Sequence, residues 1–154
     1  MRLKIIAVGR LKPGPERGLV ETYRTRLENA PAGLGPLSVT EIDDRDARRA
    51  ANALDEAIAG RAKDARAIVL DETGDGISTK AFAEVLSAWR DSGISEANFI
   101  IGGADGLDDK IRKAADRVIC LGKMTWPHRL ARAMITEQLY RAASLLAGHP
   151  YHRE

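Results

Sequence analysis

The stretch Ile100-Ile101-Gly102-Gly103-Ala104-Asp105-Gly106-Leu107 decides the fold, because it joins an apolar run to a turn rich in glycine. Residues 98–101 predict a buried strand, and a helix is predicted to begin near Leu107, with Asp108 and Asp109 in its first turn. Glycine lets two backbones approach closely, or it leaves bare N–H groups facing a ligand. A strand, a glycine turn and a helix therefore indicate a ligand-binding corner of an α/β domain, although chain geometry alone also uses such turns.

The alternation of short apolar runs and helical periods continues on both sides of this turn. Strands are predicted at residues 3–8, 37–42, 67–70, 98–101 and 118–121, and residues 72–76 are predicted as a loop. Helices are predicted around residues 19–27, 45–63 and 128–146. A further helix is predicted to begin after a cap at Ser78 or Thr79. Continuous apolar strands are typical of sheets covered on both faces. The sequence therefore predicts an α/β fold: an open parallel sheet of about five strands with helices on both faces, in a single domain spanning residues 1–154.

Three predicted loops leave their strands in the same sense, after Leu70, Ile101 and Leu121. Ligands bind open α/β sheets at the carboxyl ends of the strands, so these loops are predicted to converge on one pocket rather than serve only as connections. A dinucleotide fingerprint is excluded, because Ile101 stands where its spacing requires glycine and the turn is not the first one in the chain.

Composition narrows the function classes only modestly. The formal net charge of the 154 residues is +2, too small to prove a nucleic-acid partner. Basic side chains nevertheless cluster in the last third of the chain, as a phosphate-facing patch or a solvated helix face; they are Lys110, Arg112, Lys113, Arg117, Lys123, Arg129 and Arg132. The one cysteine excludes an intramolecular disulfide and a zinc site built from cysteines, and no metal is predicted. No apolar segment approaches the roughly 20 residues of a membrane span, which predicts a cytoplasmic protein without membrane contact.

The last predicted helix is apolar over most of its circumference, which predicts burial on more than one side and hence a dimer partner. Glu137 and Arg141 are spaced so that they can pair with each other along the helix or face an enclosed polar region. The chain then ends in recognition-capable side chains, Tyr151, His152 and Arg153, where an arbitrary terminus would fray.

Taken together, these segments resemble the RlmH (YbeA-like) family of SPOUT-class methyltransferases, which modify N3 of a pseudouridine in large-subunit ribosomal RNA. The resemblance covers the whole chain and is most specific in its last two segments. The segments that carry it are the opening Leu3-Lys4-Ile5-Ile6-Ala7-Val8-Gly9, Val69-Leu70-Asp71, Ile101 to Leu107, Trp126-Pro127-His128, Glu137-Gln138-Leu139-Tyr140-Arg141-Ala142 and His149-Pro150-Tyr151-His152-Arg153-Glu154. Some members have Pro-Glu where this chain has Ala104-Asp105.

The resemblance implies a trefoil knot near the C-terminus, S-adenosylmethionine as cofactor, a homodimer, and ribosomal RNA or the assembled ribosome as substrate. The residues implied to hold the cofactor are Leu70, Gly102, Gly103, Gly122, Lys123, Met124, Thr125, Trp126 and Pro127. The residues expected at the catalytic end are His152, Arg153, Tyr151, Glu137 and Arg141.

Methylation of a ring nitrogen requires that donor and acceptor be held in line and that the N3 proton leave. The proton acceptor is His152, Glu137 or a water molecule, while Arg132, Arg141 and Arg153 suit contacts to phosphate or carbonyl oxygens. Two other classes remain open at the level of sequence. One is a non-catalytic factor associated with RNA or the ribosome, which would not bind the donor, and the other is a small-molecule-binding regulatory domain, which would not bind RNA.

Overall fold

Strands and helices alternate along the whole chain, as their apolar patterns predict. The protein is described by a computed structural model that covers residues 1–152, apart from the side chains of Pro31 and His152. The elements are β1 (Arg2–Val8), α1 (Pro15–Glu28), β2 (Leu37–Ile42), α2 (Ala47–Ala59), β3 (Ala65–Gly76), α3 (Thr79–Asp91), β4 (Glu96–Ile101), α4 (Asp109–Ala114), β5 (Arg117–Cys120) and α5 (His128–Leu146), with short 3-10 helices at Pro31–Gly33 and Pro150–His152.

The five strands form one sheet in the order β2-β1-β4-β3-β5, and each neighbouring pair is parallel. The predicted open parallel sheet is therefore confirmed. Strand β4 lies at the centre, where Ile101 is in register with Ala7 of β1 and with Leu70 of β3. Because the strands are parallel, the loops after β3, β4 and β5 all emerge at one edge of the sheet.

Alternate residues of each strand face two separate layers of helices. Phe99 and Ile101 of β4 pack with α1, α3 and α5 on one face, whereas Ile100 packs with α2 and α4 on the other. Side-chain caps fix two of these helices at their start: Ser78 accepts a hydrogen bond from Ala81 N at 3.2 Å, and Asp46 accepts one from Arg49 N at 3.0 Å. Helices on both faces are thus confirmed, while the trefoil knot and the single-domain organisation stay predictions.

Two boundaries differ from those predicted. Residues 72–76, predicted as a loop, belong to β3, which pairs with β5 up to Gly76 after a shift of register between Leu70 and Asp75. The extension depends on Gly74, because a Cβ there would lie 2.7 Å from the backbone nitrogen of Ile119. Turn-forming residues thus serve as a bulge that the hydrophobic pattern could not distinguish from a loop. Helix α4 begins at Asp109 rather than near Leu107, with Asp108 at its N-cap position.

The close contact at Gly74 generates a prediction about stability. Gly74→Ala should force β3 away from β5 and lower the free energy of unfolding by about 1–3 kcal/mol, the usual cost of overpacking. The matched control is Gly18→Ala in α1, where an added Cβ meets nothing within 4 Å and alanine favours the helix. Urea unfolding of both variants checks this, and a Gly74→Ala protein as stable as Gly18→Ala would contradict it.

Candidate functional site

A cleft of about 880 Å³ opens at the carboxyl edge of the sheet, where residues 70–73 of β3 meet the loops after β4 and β5. Eight of the nine residues expected to hold a cofactor line it; they are Leu70, Gly102, Gly103, Gly122, Met124, Thr125, Trp126 and Pro127. The ninth, Lys123, is exposed on the same loop and is not part of the lining. The structure thus brings the three predicted segments together around one space, although the first of them is part of β3 rather than a loop.

The glycine turn after β4 is shaped by contacts within the chain as well as by the cleft. Gly106 N donates to Gly103 O at 3.2 Å and closes the turn. A Cβ on Gly102 would lie 2.8 Å from Gly106 O, and one on Gly103 would lie 3.0 Å from Cγ1 of Val8 in β1. The sequence left open whether these glycines serve close packing or leave backbone facing a ligand. The turn combines both features, since its backbone packs closely against Val8 and Gly106 and also lines the cleft.

Asp71 lines the cleft and accepts hydrogen bonds from Thr73 and Arg112. Its Oδ1 accepts from Thr73 N at 3.0 Å and Thr73 Oγ1 at 2.6 Å, and its Oδ2 accepts from Arg112 Nη1 at 3.0 Å. The same Arg112 nitrogen donates to Leu107 O at 2.7 Å, which ties β3 to the end of the glycine turn. Burial alone would raise the pKa of Asp71, but these hydrogen bonds outweigh it and lower the pKa, so the carboxylate stays charged.

The loop after β5 forms the outer wall of the cleft. Gly122 adopts a left-handed backbone with φ of 132°, which lets the chain turn directly after the strand. Thr125 Oγ1 donates to Glu72 Oε2 at 3.0 Å and links this loop to β3. Met124 and Trp126 keep 71% and 40% of their surface exposed, unusual fractions for large apolar side chains beside a cleft.

Sequence reasoning missed His128 as a site residue, although the third loop leads straight into it. His128 is the first residue of α5 and lines the cleft. Its Nε2 lies 3.5 Å from the point where Gly9 would carry a Cβ, and Asp44 Oδ2 lies 3.1 Å from the same point. No local sequence pattern marks His128 as a site residue, because its neighbours follow β1 and β2 and come from distant parts of the chain.

Arg132 was proposed from sequence to contact phosphate or carbonyl oxygens of a substrate, but the structure gives it an internal role. Its side chain is completely buried and pairs with Glu41 Oε1 at 2.7 Å. It also donates to the carbonyl oxygens of Gly9 at 3.0 Å and Val8 at 3.3 Å. Burial lowers the pKa of Arg132, against the opposing effect of Glu41. Arg132 thus anchors α5 to the ends of β1 and β2 and is not available to RNA.

The residues expected at the catalytic end form a second cluster, away from the cleft lining within the described chain. Arg141 pairs with Glu137 at 2.8 Å, as their spacing allows, and Gln138 Nε2 donates to the other Glu137 oxygen at 2.8 Å. Tyr151 OH donates to Glu137 Oε1 at 3.3 Å, and the Tyr151 ring meets Tyr140 edge-on with centroids 4.8 Å apart.

Tyr151 is held firmly by these contacts and by a 3.0 Å hydrogen bond between its hydroxyl and that of Tyr23. Burial, this hydrogen bond and the charge of Glu137 raise the pKa of Tyr151, so the phenol is protonated at neutral pH. The chain is therefore ordered as far as this residue instead of fraying. The His152 side chain and Arg153, both expected to be catalytic, lie outside the described residues.

The residues Glu137, Gln138, Tyr140, Arg141 and Tyr151 are called the tail cluster below. An apolar groove of about 580 Å³ separates this cluster from the cleft and is lined in part by Glu137. Leu19 of α1 and Leu130 of α5 line it while remaining 47% and 37% exposed. The groove and the cleft share Cys120, Leu121 and Gly122, so they lie on two sides of the end of β5. Anything seated in the groove would therefore lie directly beside the cleft.

Within residues 1–152, no helix combines the length and apolar character needed to cross a membrane. The same described residues contain no group of three or more histidine, cysteine, aspartate or glutamate side chains suited to a metal ion.

The fold and the cleft define an α/β protein with a cleft at the carboxyl edge of a parallel sheet, and comparisons with known proteins specify the class. The family model described as "Predicted SPOUT methyltransferase" matches residues 1–152. A solved structure, the probable methyltransferase from Bordetella pertussis Tohama I, superposes with a TM-score of 0.60 at 15% identity, covering 92% of this chain and 94% of that one. At that identity, the likeness supports the fold alone.

Curated relatives narrow the family further. The proteins named ribosomal RNA large subunit methyltransferase H from Roseobacter denitrificans and Ruegeria pomeroyi are 49% and 45% identical to this chain, each over 99% of both chains. The protein of the same name from Phenylobacterium zucineum is 47% identical over 100% of both chains. The chain belongs to the SPOUT methyltransferases and, within them, to the ribosomal RNA large subunit methyltransferase H family, as its motifs predicted.

Proposed function

We propose that the protein transfers the methyl group of S-adenosylmethionine to N3 of a pseudouridine in large-subunit ribosomal RNA, with the assembled ribosome as substrate. The observation that carries the proposal is the cleft at the carboxyl edge of the sheet, in a chain that matches ribosomal RNA methyltransferases over 99% of its length. Bound S-adenosylmethionine supplies a methyl group already activated by the positive sulfur, so the protein needs chiefly to position the reactants.

The residues of the cleft fit such a donor. Gly102, Gly103 and Gly122 expose backbone to the cavity, whose volume lies in the usual range of small-molecule sites. Leu70 and Trp126 add apolar walls suited to an adenine ring. Acidic side chains also line the cleft and complement a cationic donor; they are Asp71, Glu72 and Asp105. We assign the backbone of the glycine turn and the loop at residues 122–127 to donor binding, together with Lys123 at the mouth of the cleft.

The acceptor side of the site requires a second subunit in this proposal. The apolar groove lined by Leu19, Leu130 and Met134 is the surface proposed to receive the partner. Because the groove adjoins the cleft at Leu121 and Gly122, a partner seated there brings its tail cluster close to the donor. Tyr151, His152 and Arg153, with Glu137 and Arg141, would then contact the RNA from the neighbouring subunit.

Methyl transfer from labelled S-adenosylmethionine to ribosomes and to naked ribosomal RNA, followed by mapping of the modified base, tests the activity. We expect transfer to ribosomes. Deletion of residues 152–154, which keeps the contacts of Tyr151 with Tyr23, Glu137 and Tyr140, should abolish transfer while leaving the melting temperature and donor affinity nearly unchanged. Ribosome binding without methyl transfer by the full chain would favour the non-catalytic factor, and full activity of the truncated chain would remove the tail from the site.

Donor binding can be tested at Gly103. Gly103→Val should press the glycine turn against Val8 and narrow the cleft, so calorimetric titration should show S-adenosylmethionine binding to the wild type and at least tenfold weaker binding to the variant. Gly18→Val, where an added Cβ has open space, is the control for a general effect of valine. Equal affinities in two folded proteins would place the donor elsewhere.

The dimer can be tested at Met134. Sedimentation should give twice the 16.7 kDa chain mass at micromolar protein. Met134→Asp should yield a folded monomer, because this half-buried side chain lines the groove, and an unpaired charge enclosed in an interface costs several kcal/mol. Asn52→Asp on the exposed face of α2 adds the same charge and should stay dimeric. A monomeric wild type with full activity would exclude the dimer.

A further inference from the structure

The proposed reaction leaves open which group takes the proton from N3, and most titratable groups that line the cleft are already engaged. Both oxygens of Asp71 accept hydrogen bonds, and its pKa is lowered, which makes it a poor base. Glu72 accepts from Thr125, and Asp105 is exposed on the turn. Glu137 lies outside the cleft lining and is occupied by Arg141 and Gln138.

His128 differs from these groups, because it is the imidazole that lines the cleft within the described chain. It follows the loop proposed to hold the donor and is fixed by its place in the first turn of α5. The neighbouring Gly9 is held by two hydrogen bonds: its N–H donates to Ile42 O at 2.8 Å, and its carbonyl oxygen accepts from the buried Arg132 at 3.0 Å. Since Gly9 has no side chain, space remains over its backbone for the imidazole beside Asp44.

We infer that His128 accepts the N3 proton of the target base during methyl transfer, an assignment that rests on the proposed function. The N3–H electron pair forms the new N3–C bond, and the proton passes to the free imidazole nitrogen. The electron pair of the broken S–C bond remains on sulfur, which leaves as a neutral thioether. The imidazolium then loses its proton to solvent at the open mouth of the cleft, so the residue returns to its starting state.

Burial and the charges around His128 keep its imidazole unprotonated at neutral pH, so that it has a free nitrogen to receive a proton. Burial lowers its pKa most, the nearby cations Arg132 and Arg129 of α5 lower it further, and Asp44 from the loop after β2 opposes them. The net shift is downward from the ordinary value of 6.5. The imidazole is therefore neutral at pH 7, and protonation should inactivate it only in more acidic solution.

The first test measures single-turnover methylation of ribosomes with saturating donor. His128→Ala should lower the rate by about 10²-fold or more, the usual contribution of a positioned base. Added imidazole should restore much of the rate in proportion to its neutral form, while calorimetry shows unchanged donor affinity. His128→Gln, which keeps volume and polarity, should be equally slow and not rescued. Rescue of His152→Ala but not of His128→Ala would overturn the assignment in favour of the tail.

The second test uses neighbours that act on the charge of His128 in opposite directions. Asp44→Asn should move the acid limb of the rate profile to lower pH, and Arg129→Gln should move it to higher pH, because they remove a negative and a positive neighbour, respectively. Titration of the His128 imidazole by NMR in the free protein should show the same two shifts without any substrate. Imidazole shifts without matching shifts of the rate profile would overturn the assignment.

Wild-type activity distinguishes a failure of the proposed function from a failure of the role assigned to His128. If the wild type methylates no ribosomal RNA, the proposed function fails and the assignment falls with it. If the wild type is active and His128→Gln retains its full rate, the proposed function stands and the role of His128 is wrong.

Discussion

Parallel pairing of β3, β4 and β5 is the constraint on which the rest of the molecule depends. Backbone hydrogen bonds fix Leu70 of β3 opposite Ile101 of β4 and Ile119 of β5, so the three chain segments that line the cleft start at the same level of the sheet. Phe99 and Ile100 of β4 pack in two different helix layers, so a shift by one residue would exchange their packing partners. The shape of the cleft is thus set by the sheet, and the loops need only supply glycine backbone and a few polar contacts.

Helix α5 joins the cleft to the tail cluster. Its first residue, His128, lies beside the cleft, and Glu137 and Arg141 lie two to four turns further on. At a rise of 1.5 Å per residue, the helix spans about 28 Å between its ends. The ion pair between the buried Arg132 and the partly exposed Glu41 fixes the orientation of α5 relative to β1 and β2, because separating the two side chains would leave the Arg132 charge uncompensated in the interior. Position along α5 therefore sets the distance between the cleft and the tail of the same chain.

Much of the fold follows from short-range patterns. The apolar run at Phe99 to Ile101, the capping serine at Ser78 and the pair Glu137 and Arg141 are local features, and the structure has them where the pattern predicts. The extension of β3 through Gly74 was not predictable, since it depends on contact with β5 more than forty residues later. His128 and Arg132 were missed or misjudged for the same reason, because their neighbours Gly9, Asp44 and Glu41 come from the opposite end of the chain.

The central place of β4 has a consequence for the protein during its own synthesis. Until β4, near residue 101, has emerged from the ribosome, β1 has one side unpaired and β3 has both sides unpaired. Unpaired edges of apolar strands invite pairing with other chains, and parallel sheets with distant partners form slowly. The nascent chain thus carries three open strand sides between the synthesis of β3 and that of β4, so its recovery should depend on chaperones that cover strand edges more than on the stability of the finished fold.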